Sequence, residues 1–165
     1  LLKKQVETEF VFNMNRWMKL AYNEATTGML SNAGGPFGAV IIKDDTIIAS
    51  AHNEVLKTKD ATAHAEINAI RKACQKLDSF NLSGCILYTT CEPCPMCLGA
   101  IFWSRIDTVY YGATKDDAAY GGFDDSRFYD LLNNKNNSLS MKQIDHKENA
   151  KLFERWLDKE NHQIY

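Results

Sequence analysis

The sequence predicts an α/β protein in which a sheet with some parallel pairing is covered by helices on both faces. Short β-branched runs alternate along the chain with longer stretches whose apolar residues recur at helical spacing. The length, 165 residues, suits one domain spanning 1–165. A composition of 45% hydrophobic and 24% charged residues argues against disorder.

The first expected element is an amphipathic helix from Gln5 to about Gly28, with Val6, Phe10, Trp17, Ala21 and Ala25 on one face. The segment "SNAGGPFG", Ser31 to Gly38, is a loop because its glycines permit unusual backbone angles and its proline lacks a donor. Ala39–Ile42 and Thr46–Ala49 flank Lys43-Asp44-Asp45 and predict a hairpin. Thr62 to Leu77 predicts a helix that buries Ala65, Ala69, Ile70, Ala73 and Leu77. Cys85–Thr90 ("CILYTT") is an expected strand, followed by a proline-rich turn and a helix from about Pro95 to Trp103. Asp107–Gly112 is a further strand. A polar loop, Asn133–Ser138, precedes a weak strand at Met141–Asp145 and a last helix over about Glu148–Lys159.

Lys and Arg total 19 against 21 Asp and Glu, so the chain lacks the basic excess of a phosphate-backbone binder and favours a small-molecule partner over nucleic acid. No run approaches the roughly 20 apolar residues of a membrane span, and no leader-like segment opens the chain. Of the five cysteines, Cys91, Cys94 and Cys97 crowd together. Such spacing points to a metal or redox cluster in a reducing cytoplasm rather than a secreted disulfide framework.

Two segments carry the chemistry. "AHAE" contains His64 and Glu66, and "CEPCPMC" contains Cys91, Cys94 and Cys97. Imidazole and two thiolates suit zinc, and a catalytic zinc keeps three protein ligands with its fourth position open. Cys94 and Cys97, three apart at a helix start, can face one ion, and the helix N-terminus favours their thiolates. Glu66, two residues from His64, is placed to move protons. A closed structural zinc site would need a fourth ligand and no Glu66. Cys91 extends the pattern to a doubled CxxC, but an iron–sulfur cluster needs a fourth cysteine and neither Cys74 nor Cys85 has supporting spacing. Cys91 is expected at the strand end, near the metal without ligating it, with a substitute ligand or an oxidised thiol as the alternative.

The combination H-x-E…P-C-x-x-C resembles the cytidine deaminase-like zinc hydrolases and, within them, the bacterial-type guanine deaminases. The resemblance rests on "GGPFGAVIIKD" (Gly34–Asp44), "TAHAEINAIRKAC" (Thr62–Cys74), "CILYTTCEPCPMCLGAIFWSR" (Cys85–Arg105) and "GFDDS" (Gly122–Ser126). It implies a three-layer α/β/α sandwich with a mixed five-stranded sheet, a homodimer, and one zinc per chain on His64, Cys94 and Cys97. It implies Glu66 as proton shuttle, Asp125 as a second carboxylate over the purine, Asn53 as a contact to the base, and Phe37 and Trp103 as pocket walls. It further implies that the tail, about 148–165, can be exchanged in the dimer so that Tyr165 closes the neighbour's site. The expected reaction is conversion of guanine to xanthine and ammonia in purine catabolism or salvage. Guanosine deamination, tRNA adenosine deamination and a non-catalytic zinc-stabilised module are the competing readings.

Overall fold

A computed structural model describes residues 14–133, 139–144 and 146–160. By internal contacts the chain divides into two units, 1–125 and 126–165. In the first, the element order is α1 (Arg16–Leu30), β1 (Gly38–Lys43), β2 (Thr46–His52), α2 (Val55–Thr58), α3 (Ala65–Leu77), β3 (Ile86–Cys91), α4 (Pro95–Trp103), β4 (Thr108–Ala113) and α5 (Lys115–Tyr120). The second contains α6 (Ser126–Leu132) and α7 (His146–Asp158).

The strands lie in the order β2-β1-β3-β4. β1 pairs antiparallel with both β2 and β3, and β3 pairs parallel with β4, so the sheet is mixed. Parallel pairing needs a crossover, and α4 supplies it. The β1–β2 hairpin turns at Asp44 and Asp45, both at positive φ (46° and 61°). Two such central residues match the twist of the flanking strands.

Period-two alternation sorts β1 between two cores. Ala39 and Ile41 join Leu87, Ala65, Ala69, Ile70 and Ile101 in the layer of α3 and α4. Val40 and Ile42 join Tyr88 and Ala21 in the layer of α1, with Trp17 and Met18 packed against them. The sheet is therefore covered on both faces, as the alternation of patterns predicts. Gly38 permits the closest approach to α1: a Cβ there would stand 2.0 Å from the Ala21 carbonyl oxygen.

The described sheet has four strands, not the expected five. Residues 141–144 form no strand and are exposed. "MKQI" places two polar residues between two apolar ones, so neither face of a strand would be apolar. Asp145 lies outside the described residues, as do Val6, Phe10 and most of the Asn133–Ser138 loop. The first described helix begins at Arg16 because Asn15 caps it, its side-chain oxygen accepting from the Trp17 and Met18 amides. Gly28 does not end that helix. It lies inside it, where a Cβ would come within 2.7 Å of the His52 ring.

Candidate active site

Two helix N-termini converge at the ends of β2 and β3. His64 is the N-cap residue of α3 and Cys94 that of α4, both in extended backbone. Pro95 opens α4, where a missing N–H costs nothing. Neither cap side chain bonds its own helix. They face one another instead: His64 Nδ1 is 3.5 Å from Cys97 Sγ and 3.7 Å from Cys94 Sγ, and the three donors lie within 4.8 Å of one another.

Tetrahedral zinc, about 2.3 Å from sulfur and about 2.05 Å from nitrogen, requires nitrogen–sulfur edges of about 3.6 Å. The group fits. With three protein donors it leaves a fourth position for water or substrate, the pattern of a catalytic rather than a structural centre. The electrostatics agree. The hydrogen bond from Cys97, reinforced by His64, lowers Cys94 to about 4, while donating that bond pushes the Cys97 thiol up. The Cys94 thiolate in turn raises His64. Such a thiolate–imidazole cradle is suited to a soft or borderline divalent cation.

Glu66 stands in the first turn of α3, only 5% exposed. Its Oε1 accepts from Thr89 Oγ1 at 3.0 Å, and its Oε2 lies 3.5 Å from Cys97 Sγ. Burial pushes its carboxyl above the ordinary range, which suits a group that must both accept and return a proton. Cys91 is buried at the end of β3, directs Sγ toward the Thr114 carbonyl at 3.6 Å, and is pushed up to about 11, chiefly by burial. Among the described residues, the metal-competent group contains His64, Cys94 and Cys97 and leaves Cys91 out. Glu92 is tied elsewhere: its amide donates to the Ala113 carbonyl and its carboxylate accepts from the Lys115 amide.

Three loops gather the expected base-contacting residues. Asn53 is buried just beyond β2; its amide N–H donates to the Phe37 carbonyl, and its Oδ1 accepts from the Val55 amide at 3.1 Å. Gly34 lies directly against it, since a Cβ would come within 2.0 Å of Asn53 Oδ1. Phe37 is half-buried and meets Phe123 edge to face, centroids 4.9 Å apart. Gly35 gives those rings room. Asp125 is half-buried, and burial together with the Cys94 charge raises its carboxyl, so it feels the metal group.

Sequence reasoning missed Thr89 and Phe123 as parts of this site; Phe123 was within reach, because it belongs to the quoted "GFDDS". Trp103 is placed differently. It is 64% exposed at the C-terminal end of α4, a helix about 13 Å long whose other end carries the cysteines. Tyr165 lies outside the described residues.

A His–Cys–Cys group with an open position and a buried carboxylate beside it defines the centre of a zinc-dependent deaminase. Residues 13–113 match the family described as the cytidine and deoxycytidylate deaminase zinc-binding region, and the chain belongs to that family. It is similar to the guanine deaminase of Bacillus subtilis, 45% identical over 155 residues that cover 93% of this chain and 99% of the relative. The X-ray structure of Bacillus subtilis guanine deaminase superposes with a TM-score of 0.87 at 46% identity, covering 92% of this chain and 99% of that one. The tRNA-specific adenosine deaminase of Aquifex aeolicus is 44% identical over 106 residues, 64% of this chain and 68% of the relative.

Proposed function

We propose that this protein hydrolyses guanine to xanthine and ammonia, with zinc on His64, Cys94 and Cys97 and Glu66 as the proton carrier. The observation that carries the reading is the buried Glu66 carboxylate set 3.5 Å from Cys97 Sγ, beside a three-donor group with one position open. The choice of base is supported by likeness to guanine deaminase over nearly the whole of both chains. Likeness to tRNA-specific adenosine deaminases covers less, 64% of this chain for that of Aquifex aeolicus and 72% for that of Buchnera aphidicola.

Zinc, when bound, supplies the Lewis acidity that brings the pKa of a water to about 7 and so provides a nucleophile at neutral pH. Glu66 takes the proton released by the attacking water and passes it to a ring nitrogen, making the amino-bearing carbon electrophilic. The water oxygen bonds to that carbon, the proton remaining on that oxygen is carried by Glu66 or Asp125 to the amino nitrogen, the C–N bond breaks as the carbonyl forms, and ammonia leaves. Asn53 is oriented to read the base. Its Oδ1 is engaged by the Val55 amide, so its NH₂ is the group offered to a purine oxygen or nitrogen. Phe37, backed by Phe123, provides an apolar wall. Trp103 and Tyr165 remain pocket residues by resemblance alone.

A homodimer in a reducing cytoplasm accompanies this reading. Five free cysteines suit that compartment. Phe102 and Trp103 on α4, and Tyr111 on the face of β4 that shares the α3–α4 layer, are exposed, apolar side chains of the kind a second copy covers.

The test is ammonia release by the zinc-replete protein on guanine, guanosine, adenosine and cytidine in parallel. Release from guanine alone is expected. Release only from a nucleoside would overturn the substrate, and silence on all four with zinc bound would overturn the reaction.

A further inference from the structure

The β3 register places Leu87, Thr89 and Cys91 on the face of the sheet that meets α3 and α4, since Thr89 pairs with Ala39 and Leu87 with Ile41. Thr89 is 1% exposed, and its hydroxyl donates to Glu66 Oε1 at 3.0 Å. The two oxygens of Glu66 are thereby distinguished: Oε1 is held by the sheet, and Oε2 is turned to Cys97 at 3.5 Å. A carboxylate on a Glu side chain has three rotatable bonds; its own amide N–H also bonds this one, and Thr89 adds the side-chain donor that fixes Oε1 from the sheet.

We propose that Thr89 is a positioning residue for the deamination: its hydroxyl fixes the Glu66 carboxylate so that Oε2 faces the metal group in the geometry needed to take and return a proton. The inference rests on the role of Glu66 given above. It requires the hydroxyl, not the bulk, of residue 89. Positioning of this kind acts on turnover, because a carboxylate displaced by about 1 Å loses up to about 10²-fold in rate while the base is still bound.

The experiment compares Thr89→Val, Thr89→Ser and Glu66→Gln, each with zinc content, Tm, kcat and KM measured on guanine. Val keeps the shape and removes the donor. It is expected to keep one zinc, hold KM within about twofold and lower kcat about 10–100-fold, and Ser is expected to return kcat to within about threefold of the starting protein. Thr89→Ala is a second donor-free variant with the same expected loss, should Val not fold. A donor-free variant at full kcat beside an inactive Glu66→Gln overturns the role of Thr89 alone. Ser as slow as Val, or a loss confined to KM or to zinc content, overturns it as well. An active Glu66→Gln overturns the assignment of Glu66 and this inference with it.

Discussion

His64, Glu66, Cys94 and Cys97 stand on the first turns of two helices, whereas Phe37, Asn53 and Asp125 stand on loops. The helices pack on a sheet covered from both sides, and Ala65, Ala69 and Ile101 in them are almost wholly buried. The loops are fixed by a few specific contacts: the Asn53 amide on the Phe37 carbonyl, the Phe37–Phe123 edge, and glycines that allow close approach. The difference separates two jobs. On the function proposed above, the groups that hold an ion and move protons are set by the core, while the groups that select the base are set by segments that can vary without disturbing it.

The largest effect should come from breaking the core half. Cys94→Ala removes a ligand and leaves the His64–Cys97 pair too few to hold zinc, so metal analysis should find little zinc and turnover should fall by more than about 10³-fold. Asp125→Asn tests the loop half at its most reactive member. Zinc content should be unchanged and kcat/KM should fall about 10²-fold, as expected for loss of one acid–base group. Gly34→Ala acts without touching chemistry. Its Cβ would come within 2.0 Å of Asn53 Oδ1, so Asn53 must shift and KM should rise about tenfold while zinc binding holds.

The smallest effect belongs to the scaffold behind Asn53. Glu24 on α1 accepts from Ser50 Oγ at 2.6 Å and pairs with His52 Nδ1 at 2.9 Å. Burial opposes its charge, but these hydrogen bonds outweigh it and hold its carboxyl below 4.5. A depressed carboxyl contributes stability above its unfolded value and loses it as pH falls through the folded one. Glu24→Gln should therefore cost about 1 kcal/mol at neutral pH by urea denaturation, and the cost should shrink as pH drops below about 4.5.

Much of the core half was legible in the sequence. "CEPCPMC" announces the start of α4, because within a helix Pro95 fits only the first turn; the observed helix, Pro95–Trp103, has the expected bounds, and of its apolar run Cys97 and Ile101 are buried. The helix after "AHAE" was legible for the same reason of periodic apolar residues. The contact between Thr89 and Glu66 was not, because it joins residues 23 apart whose meeting depends on strand register. Gly28 reads as a helix stop, yet its purpose is to let His52 approach. Helices α2, α5 and α6 are too short to show a period. The strand expected at Met141–Asp145 is absent over 141–144, where no apolar face exists to pair or bury.

The central claim is that Glu66 moves protons beside a metal it does not hold, and Glu66→Gln tests it most directly by zinc content and guanine turnover on one preparation. One zinc per chain with kcat reduced about 10²–10⁴-fold is the predicted result. Full zinc with unchanged turnover, or loss of the zinc itself, would contradict it.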